Sequence, residues 1–156
     1  MSRKAPLPNI NATPLSSGDV TTIHACCVAV EGRGLVILGA SGRGKSALAL
    51  ELMGLGAKLV ADDQTILTRS GDTVFARCPQ HIKGMIEARG IGILHAEALE
   101  VVPVRLIVDL DMIETERLPP KRNRDLLGIS IDLVFGATSR HFPFGILQYI
   151  RAGRID

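Results

Sequence analysis

The sequence predicts an α/β fold built on a central mixed β-sheet, with one buried helix and one C-terminal helix. Two observations support this prediction. Short apolar or β-branched segments alternate with glycine-containing turns along most of the chain, a pattern typical of strands. Two segments, residues 47–53 and residues 141–152, have helical composition instead. The chain has 156 residues, which is enough for one domain with its own core.

The strands are predicted wherever β-branched and apolar residues run between turn signals. They are Val20–Val30, Leu35–Leu38, Lys58–Ala61, Gln64–Thr68, Thr73–Arg77, Val101–Leu110 and Ile129–Phe135. Ser70–Asp72 separates two of them and predicts a hairpin. The first helix, Ala47–Met53, is apolar on almost every side, so we expect it to be covered on more than one face. Residues 35–61 should form a βαβ unit of parallel strands with a right-handed crossover. Glu114–Asp125 is predicted to be a charged loop.

Composition limits the class of protein. Residues 1–19 are rich in Pro, Asn, Ser and Thr and predict an irregular lead-in to one domain over residues 20–156. The net charge of +2 and the single Tyr without any Trp argue against nucleic-acid binding. No apolar run approaches the roughly 20 residues of a membrane span, and no secretory signal is visible. The three cysteines have neither disulfide nor metal spacing, so a cytoplasmic protein is expected.

A phosphate-binding loop is the strongest motif. The pattern G-x-x-x-x-G-K-[ST] is fitted at every fixed position by Gly39, Ala40, Ser41, Gly42, Arg43, Gly44, Lys45 and Ser46. A strand before this loop and a helix after it aim backbone N–H groups at one point and favour an anion there. Lys45 would reach the outer phosphates of a nucleotide, and the Ser46 hydroxyl would bind Mg²⁺. The predicted fold is therefore a P-loop-containing domain.

Two adjacent carboxylates, Asp62 and Asp63, directly follow the strand Lys58–Ala61. The C-terminal end of a strand beside a phosphate loop is where an α/β nucleotide site needs acidic groups. Because neighbouring residues on an extended chain face opposite ways, one carboxylate could hold Mg²⁺ while the other faces an attacking hydroxyl. The alternative interpretation is an ordinary acidic turn that opens the following hairpin.

The run from His24 to Asp63 resembles the catalytic domain of bacterial HPr kinase/phosphorylase. The similarity lies in a strand histidine, the phosphate loop after it, and the sequence Leu-Val-Ala-Asp-Asp over residues 59–63. A second segment, Ile86–Ile93, reads Ile-Glu-Ala-Arg-Gly-Ile-Gly-Ile and resembles the family signature Leu-Glu-x-Arg-Gly-x-Gly-Ile. The resemblance is close over residues 20–93 and looser over the remainder.

The resemblance implies an HPr kinase / PEP carboxykinase-like fold and a protein-serine kinase that uses ATP and Mg²⁺. Its acceptor would be the phosphocarrier HPr or a nitrogen-branch homologue, as part of a phosphotransferase system. The enzyme would also remove that phosphate by phosphorolysis, releasing pyrophosphate. The family also implies a cytoplasmic homo-oligomer, commonly a hexamer.

The resemblance further implies roles for single residues. Asp62 would take the proton from the acceptor serine, and His24 would pack against Asp62. Lys45 would hold the phosphates. The residues implied near the metal are Ser46, Asp63 and Glu87. Arg89 belongs to the motif that serves the reverse reaction.

The chain also departs from the family pattern. It is expected to be a short form without the N-terminal domain, Ala47 stands where an acid usually follows Lys-Ser, and Ala25 replaces a glycine. A Gly-Ala-Gly-Ala-Val-Arg loop is not recognisable between Ala96 and Arg105. Two other functions therefore stay open: a small-metabolite or carboxykinase-like phosphotransferase, and a nucleotide-sensing module without catalysis. Lys121–Arg124 is either a solvated basic loop or a dock for an acidic partner or phosphate.

Overall fold

The computed structural model describes residues 19–156, so the predicted lead-in over residues 1–19 lies, except for Asp19, outside the described residues. Within that range eight strands form one mixed sheet and two form a separate hairpin. The strands are β1 (Val20–Val30), β2 (Arg33–Leu38), β3 (Lys58–Ala61), β4 (Gln64–Ser70), β5 (Thr73–Arg77), β6 (Met85–Ala88), β7 (Gly92–His95), β8 (Val101–Ile113), β9 (Arg122–Leu126) and β10 (Ile129–Gly136). The helices are α1 (Lys45–Gly54) and α2 (Phe142–Ala152).

All seven predicted strands and both predicted helices are present, and the β4–β5 hairpin is confirmed. Two segments differ from the prediction. The hairpin β6–β7 occupies a stretch for which no element was predicted, and it carries the second family-like signature. The charged loop expected over Glu114–Asp125 ends early, because Arg122–Leu126 pairs with β10 as an edge strand. Charged residues are typical of edge strands, which is why this one resembles a loop in sequence.

Strand β1 is buried on both faces from Ala25 to Val30. It pairs antiparallel with β2 on one side and with β3 on the other. The expected parallel orientation of β2 and β3 follows from these two pairings. The two strands are not neighbours, however, so the simple βαβ unit is corrected to one with β1 inserted between its strands.

The candidate catalytic and binding residues lie together at one end of the strands. β2 is also parallel to β8, so β2, β3 and β8 end on the same side. The phosphate loop follows β2, Asp62–Asp63 follows β3, and Asp109–Asp111 lies towards the end of β8. Strand β1 runs in the opposite direction, and its N-terminal half brings His24 to this end of the strands.

The core has two parts, one on each face of the central strands. Both helices pack on one face through apolar side chains such as Leu48, Leu52, Ile146 and Ile150. The other face is closed by β4, β5, β9 and β10. The cover expected for α1 is confirmed, since Ala47, Glu51 and Gly54 are its only exposed positions. No helix within residues 19–156 is long and apolar enough to cross a membrane.

Candidate active site

The phosphate loop has the backbone conformation that its glycines allow. Gly42 and Gly44 adopt φ angles of 85° and 94°, in the left-handed region that side chains disfavour. The Leu48 N–H donates to the Gly44 carbonyl over 2.9 Å and so begins α1 directly after the loop. The free N–H groups of the first helical turn therefore face the loop, as anion binding requires.

Lys45 and Ser46 extend from the first turn of α1 towards the same space. The Lys45 Nζ donates to the Gly39 carbonyl at 2.7 Å and to the Ala40 carbonyl at 3.3 Å. The Ser46 hydroxyl donates to Asp62 Oδ1 over 2.6 Å. The structure thus brings the predicted phosphate-binding cation, the predicted metal-binding hydroxyl and one of the predicted acids together.

Asp62 is a buried carboxylate, only 8% exposed, that is surrounded by neutral donors. Besides the Ser46 hydroxyl, the Cys26 thiol donates to Oδ1 over 3.0 Å and the Glu87 backbone N–H donates to Oδ2 over 2.9 Å. None of the ion pairs among residues 19–156 involves Asp62. A buried carboxylate without a cationic partner is a favourable place for a bound cation.

Asp63 differs from Asp62 in conformation and in partner. Its φ angle of 70° is left-handed, so the alternation of an extended chain does not apply to this pair. The His24 Nε2 lies 2.6 Å from Asp63 Oδ1, with side chains 47% and 65% exposed. The expected contact of His24 with Asp62 is therefore wrong, and the histidine contacts the second acid instead. Both carboxylates reach the loop side of the sheet.

A cavity of about 410 Å³ lies between the loop and the hairpin β6–β7. Eight of the predicted site residues line it, three of them from the phosphate loop before Lys45: Ser41, Gly42, Gly44, Lys45, Ser46, Asp63, Glu87 and Arg89. Glu87 and Arg89 come from β6 and the turn after it, and the buried Ile86 anchors this hairpin in the core. Residues that are far apart in the sequence thus line the same cavity.

The cysteines Cys26 and Cys27 of β1, and Cys78 after β5, are buried in the core. Burial, and then the hydrogen bond to Asp62, raise the pKa of the Cys26 thiol to about 12. Burial also raises the pKa of Cys27 and of Cys78. Cys26 is therefore a neutral thiol near pH 7, which fits its position as a donor to Asp62.

Sequence analysis missed a second acidic pair, at the other side of the loop. Asp111 Oδ1 accepts the Ala40 N–H over 3.0 Å and lies 3.4 Å from Arg43 Nε. Asp109 is 6% exposed; its Oδ1 accepts the Asp111 N–H over 2.9 Å, and its Oδ2 accepts Arg124 Nη2 over 2.7 Å. The available signal was the spacing of Asp109 and Asp111, which places alternate residues of a strand on one face.

Two arginines of the basic segment Lys121–Arg124 are engaged within the chain. Arg124 pairs with Asp109. Arg122 pairs with Glu114 and lies over the ring of Phe135, 4.1 Å from its centroid. Residues 122–124 therefore belong to β9 rather than to a loop, and these two arginines have partners within the chain. Docking of an acidic partner or phosphate by this segment stays a prediction.

The oxygen ligands near the cavity suit a hard cation that completes its coordination with phosphate and water. Residues 19–156 contain no cluster of three or more His, Cys, Asp or Glu side chains that could hold a metal alone. Mg²⁺ is usually bound by one or two carboxylates or hydroxyls together with substrate phosphates. The hydroxyl of Ser46 and the carboxylate of Asp62 fit that requirement.

Comparisons with known proteins show the family of this chain. Residues 17–132 match the family model of the HPr Serine kinase C-terminal domain. The HPr kinase/phosphorylase of Verminephrobacter eiseniae is 38% identical over 127 residues, covering 72% of this chain and 40% of that protein. The corresponding protein of Alkaliphilus metalliredigens is 40% identical over 111 residues, covering 69% and 36%. The chain spans about 40% of the length of the curated relatives it matches.

A solved structure extends the comparison to the fold. The HPr(Ser) kinase/phosphatase from Coxiella burnetii matches with a TM-score of 0.71 and 26% sequence identity. The match covers 84% of this chain and 94% of that one. The mixed sheet with its phosphate loop is therefore the fold of this group of kinases. With the family model matching residues 17–132, the chain belongs to the HPr serine kinase C-terminal domain family.

Proposed function

We propose that this chain is a protein-serine kinase that transfers the γ-phosphoryl group of ATP to a serine of an HPr-type phosphocarrier. The observation that supports it most is the shared cavity, in which Lys45, Ser46 and Asp63 face one open space. Its volume of about 410 Å³ leaves room for a triphosphate and an incoming hydroxyl. The relatives named HPr kinase/phosphorylase support the choice of acceptor.

Binding of ATP would use the loop and the first turn of α1. The backbone N–H groups would bind the phosphate oxygens, and Lys45 would exchange its two loop carbonyls for the outer phosphates. Ser46 and Asp62 would hold Mg²⁺, with Glu87 beside them at the cavity. When bound, Mg²⁺ supplies neutralisation of the charge that develops on the transferred group.

Asp63 is the better candidate for the group that takes the serine proton. Both oxygens of Asp62 already accept hydrogen bonds, whereas Asp63 is exposed and lines the cavity. His24 Nε2 lies 2.6 Å from Asp63 Oδ1. The histidine would orient the Asp63 carboxylate and share the proton that this carboxylate takes from the serine. The geometry therefore favours exchanging the roles that the family resemblance suggested for the two acids.

The reverse reaction is part of the proposal. Inorganic phosphate would attack the phosphoserine phosphorus, pyrophosphate would form, and Asp63 would return its proton to the departing serine oxygen. Arg89 lines the same cavity, where its guanidinium suits the recognition of phosphate oxygens. By resemblance to the family, we also propose a cytoplasmic homo-oligomer, a hexamer.

The test is incubation of the protein with Mg-ATP and purified HPr, followed by intact-mass detection of phosphoserine. We expect a gain of one phosphate on HPr, which Lys45→Ala abolishes. Excess inorganic phosphate added afterwards should remove it and release pyrophosphate. Nucleotide binding without transfer to any phosphocarrier would instead favour the sensing module. ATP turnover that requires a metabolite and no protein acceptor would favour a small-molecule kinase.

A further inference from the structure

The Ala40 amide of the phosphate loop is held by a network of charged groups outside the cavity. The Ala40 N–H donates to Asp111, the Asp111 N–H donates to Asp109, and Asp109 pairs with Arg124. These contacts connect three separate segments, namely the loop, β8 and the edge strand β9. Neither the phosphate-loop pattern nor the second family-like signature contains any of these three charged residues.

The arrangement is better suited to fixing the loop than to binding a ligand. A carboxylate beside a phosphate site repels the phosphate, so Asp111 would weaken nucleotide binding if charge alone counted. Its charge is balanced by Arg43, 3.4 Å away, and its oxygen accepts the Ala40 N–H over 3.0 Å. This hydrogen bond holds the loop at its junction with β2, where the chain leaves the sheet.

Asp109 and Arg124, the two groups farther from the loop, are less exposed than Asp111. Asp109 is buried, and both of its oxygens accept hydrogen bonds from fixed donors. Arg124 can donate to Asp109 only because β9 pairs with β10 beside β8. The edge strand thereby supports the orientation of Asp111 from outside the site.

We propose that Asp111, held by Asp109 and Arg124, is a positioning residue for the phosphate loop and sets its nucleotide affinity. The inference rests on the proposed function insofar as the loop binds a nucleotide. It assigns a role to Arg124, which otherwise would be one more basic residue on a strand. It also makes the loop sensitive to a strand that never touches the nucleotide.

The first experiment compares Asp111→Ala with Asp111→Asn in calorimetric titrations with Mg-ATP. We expect Asp111→Ala to weaken nucleotide binding about fivefold to tenfold, the effect of one lost hydrogen bond. Asp111→Asn keeps an oxygen for the Ala40 N–H and should stay within about twofold of wild type. Unchanged or tighter binding by Asp111→Ala would overturn the inference, because repulsion would then outweigh positioning.

The second experiment uses a matched pair on β9. Arg124→Lys loses the planar guanidinium that holds Asp109 and should weaken Mg-ATP binding about threefold. Arg122→Lys perturbs an equivalent arginine that pairs with Glu114 and does not contact this chain of groups, so its affinity should not change. Equal effects of the two substitutions would overturn the inference.

Failure of this inference and failure of the proposed function give different results. If wild type binds no Mg-ATP, both fail together. If wild type binds Mg-ATP and phosphorylates HPr while Asp111→Ala and Arg124→Lys bind normally, the positioning role alone is wrong. The KM for ATP should rise in Asp111→Ala with kcat nearly retained, a division that a general loss of folding would not produce. Arg124→Lys supplies the test if Asp111→Ala does not fold.

Discussion

Two acidic pairs flank the phosphate loop, and their surroundings differ. Asp62–Asp63 follows β3 on one side, and Asp109–Asp111 belongs to β8 on the other. Each pair has one buried and one exposed carboxylate. Buried Asp62 accepts hydrogen bonds from a hydroxyl, a thiol and a backbone amide. Buried Asp109 accepts from a guanidinium and a backbone amide.

Because of this difference, the hydrogen bonds around Asp62 can change on ligand binding, whereas those around Asp109 stay fixed. A hydroxyl can rotate from donating to accepting, and it can turn its lone pair to a metal ion, whereas a guanidinium can only donate. The Ser46 hydroxyl that donates to Asp62 can therefore rearrange when a cation and a nucleotide arrive. The partners of Asp109 cannot, so that side of the loop keeps one arrangement. We infer that the first pair performs chemistry and that the second maintains geometry.

The largest effect should come from the exposed acid of the first pair. Asp63→Asn removes the group proposed to take the serine proton and should lower kcat for HPr phosphorylation about 10²- to 10⁴-fold. Mg-ATP affinity should change little, because the loop and Lys45 remain. Steady-state kinetics with HPr as acceptor, combined with nucleotide titration, measure the two quantities.

The matched control for Asp63→Asn is the same substitution at the exposed acid of the second pair, Asp111→Asn. It should keep kcat within about twofold, since that side chain accepts the Ala40 N–H and pairs with Arg43 but takes no part in the proposed proton transfer. Comparable losses of kcat in both variants would contradict the division between chemistry and support. His24→Gln should fall between them, because it loses the partner of Asp63 and leaves the carboxylate in place.

The buried acids should also differ in their contribution to stability when no Mg²⁺ is bound. Asp109→Asn turns an NH₂ group towards Arg124, so two donors face each other, and we expect a loss of about 2 kcal/mol. Asp62→Asn can turn its NH₂ group towards Ser46, whose hydroxyl then accepts, so the loss should stay below about 1 kcal/mol. Urea unfolding of both variants without Mg²⁺ gives the two values. A larger loss in Asp62→Asn would show that its partners are as fixed as those of Asp109.

Local patterns made much of this site predictable from the sequence. The phosphate loop needs fixed residues at fixed spacings, and the strand and helix around it follow from continuous apolar runs. The same holds for α2, whose apolar positions recur at helical spacing and whose Pro143 fits the first turn. These features depend on neighbours in sequence, so a single sequence contains the information needed to predict them.

The remaining features depend on tertiary pairing or on single backbone angles. The continuous apolar run Ala25–Val30 indicates that β1 is buried, but it does not show that β1 pairs between β2 and β3. β6 and β7 are short, and Ile91 and Ile93 beside the turn are exposed, so hydrophobic alternation was misleading there. The left-handed φ angle of Asp63 decides which acid meets His24. The pairing of Arg124 with Asp109 required knowledge that a charged segment was a strand.

The smallest effect concerns the thiol that donates to Asp62, and it appears at high pH. The pKa of Cys26 is raised in the folded protein from the ordinary 9.0 to about 12, mainly by burial and then by Asp62. The unfolded thiol therefore ionises first, so the associated stability is complete below pH 9 and is lost as the pH rises towards 12. Cys26→Ser has no such ionisation and retains Cys27 and Cys78, whose contributions are common to both proteins. Between pH 7 and pH 10, wild type should lose about 1 kcal/mol more unfolding free energy than Cys26→Ser. If the unfolding free energies of wild type and Cys26→Ser change equally with pH, Cys26 is not the buried neutral thiol that donates to Asp62.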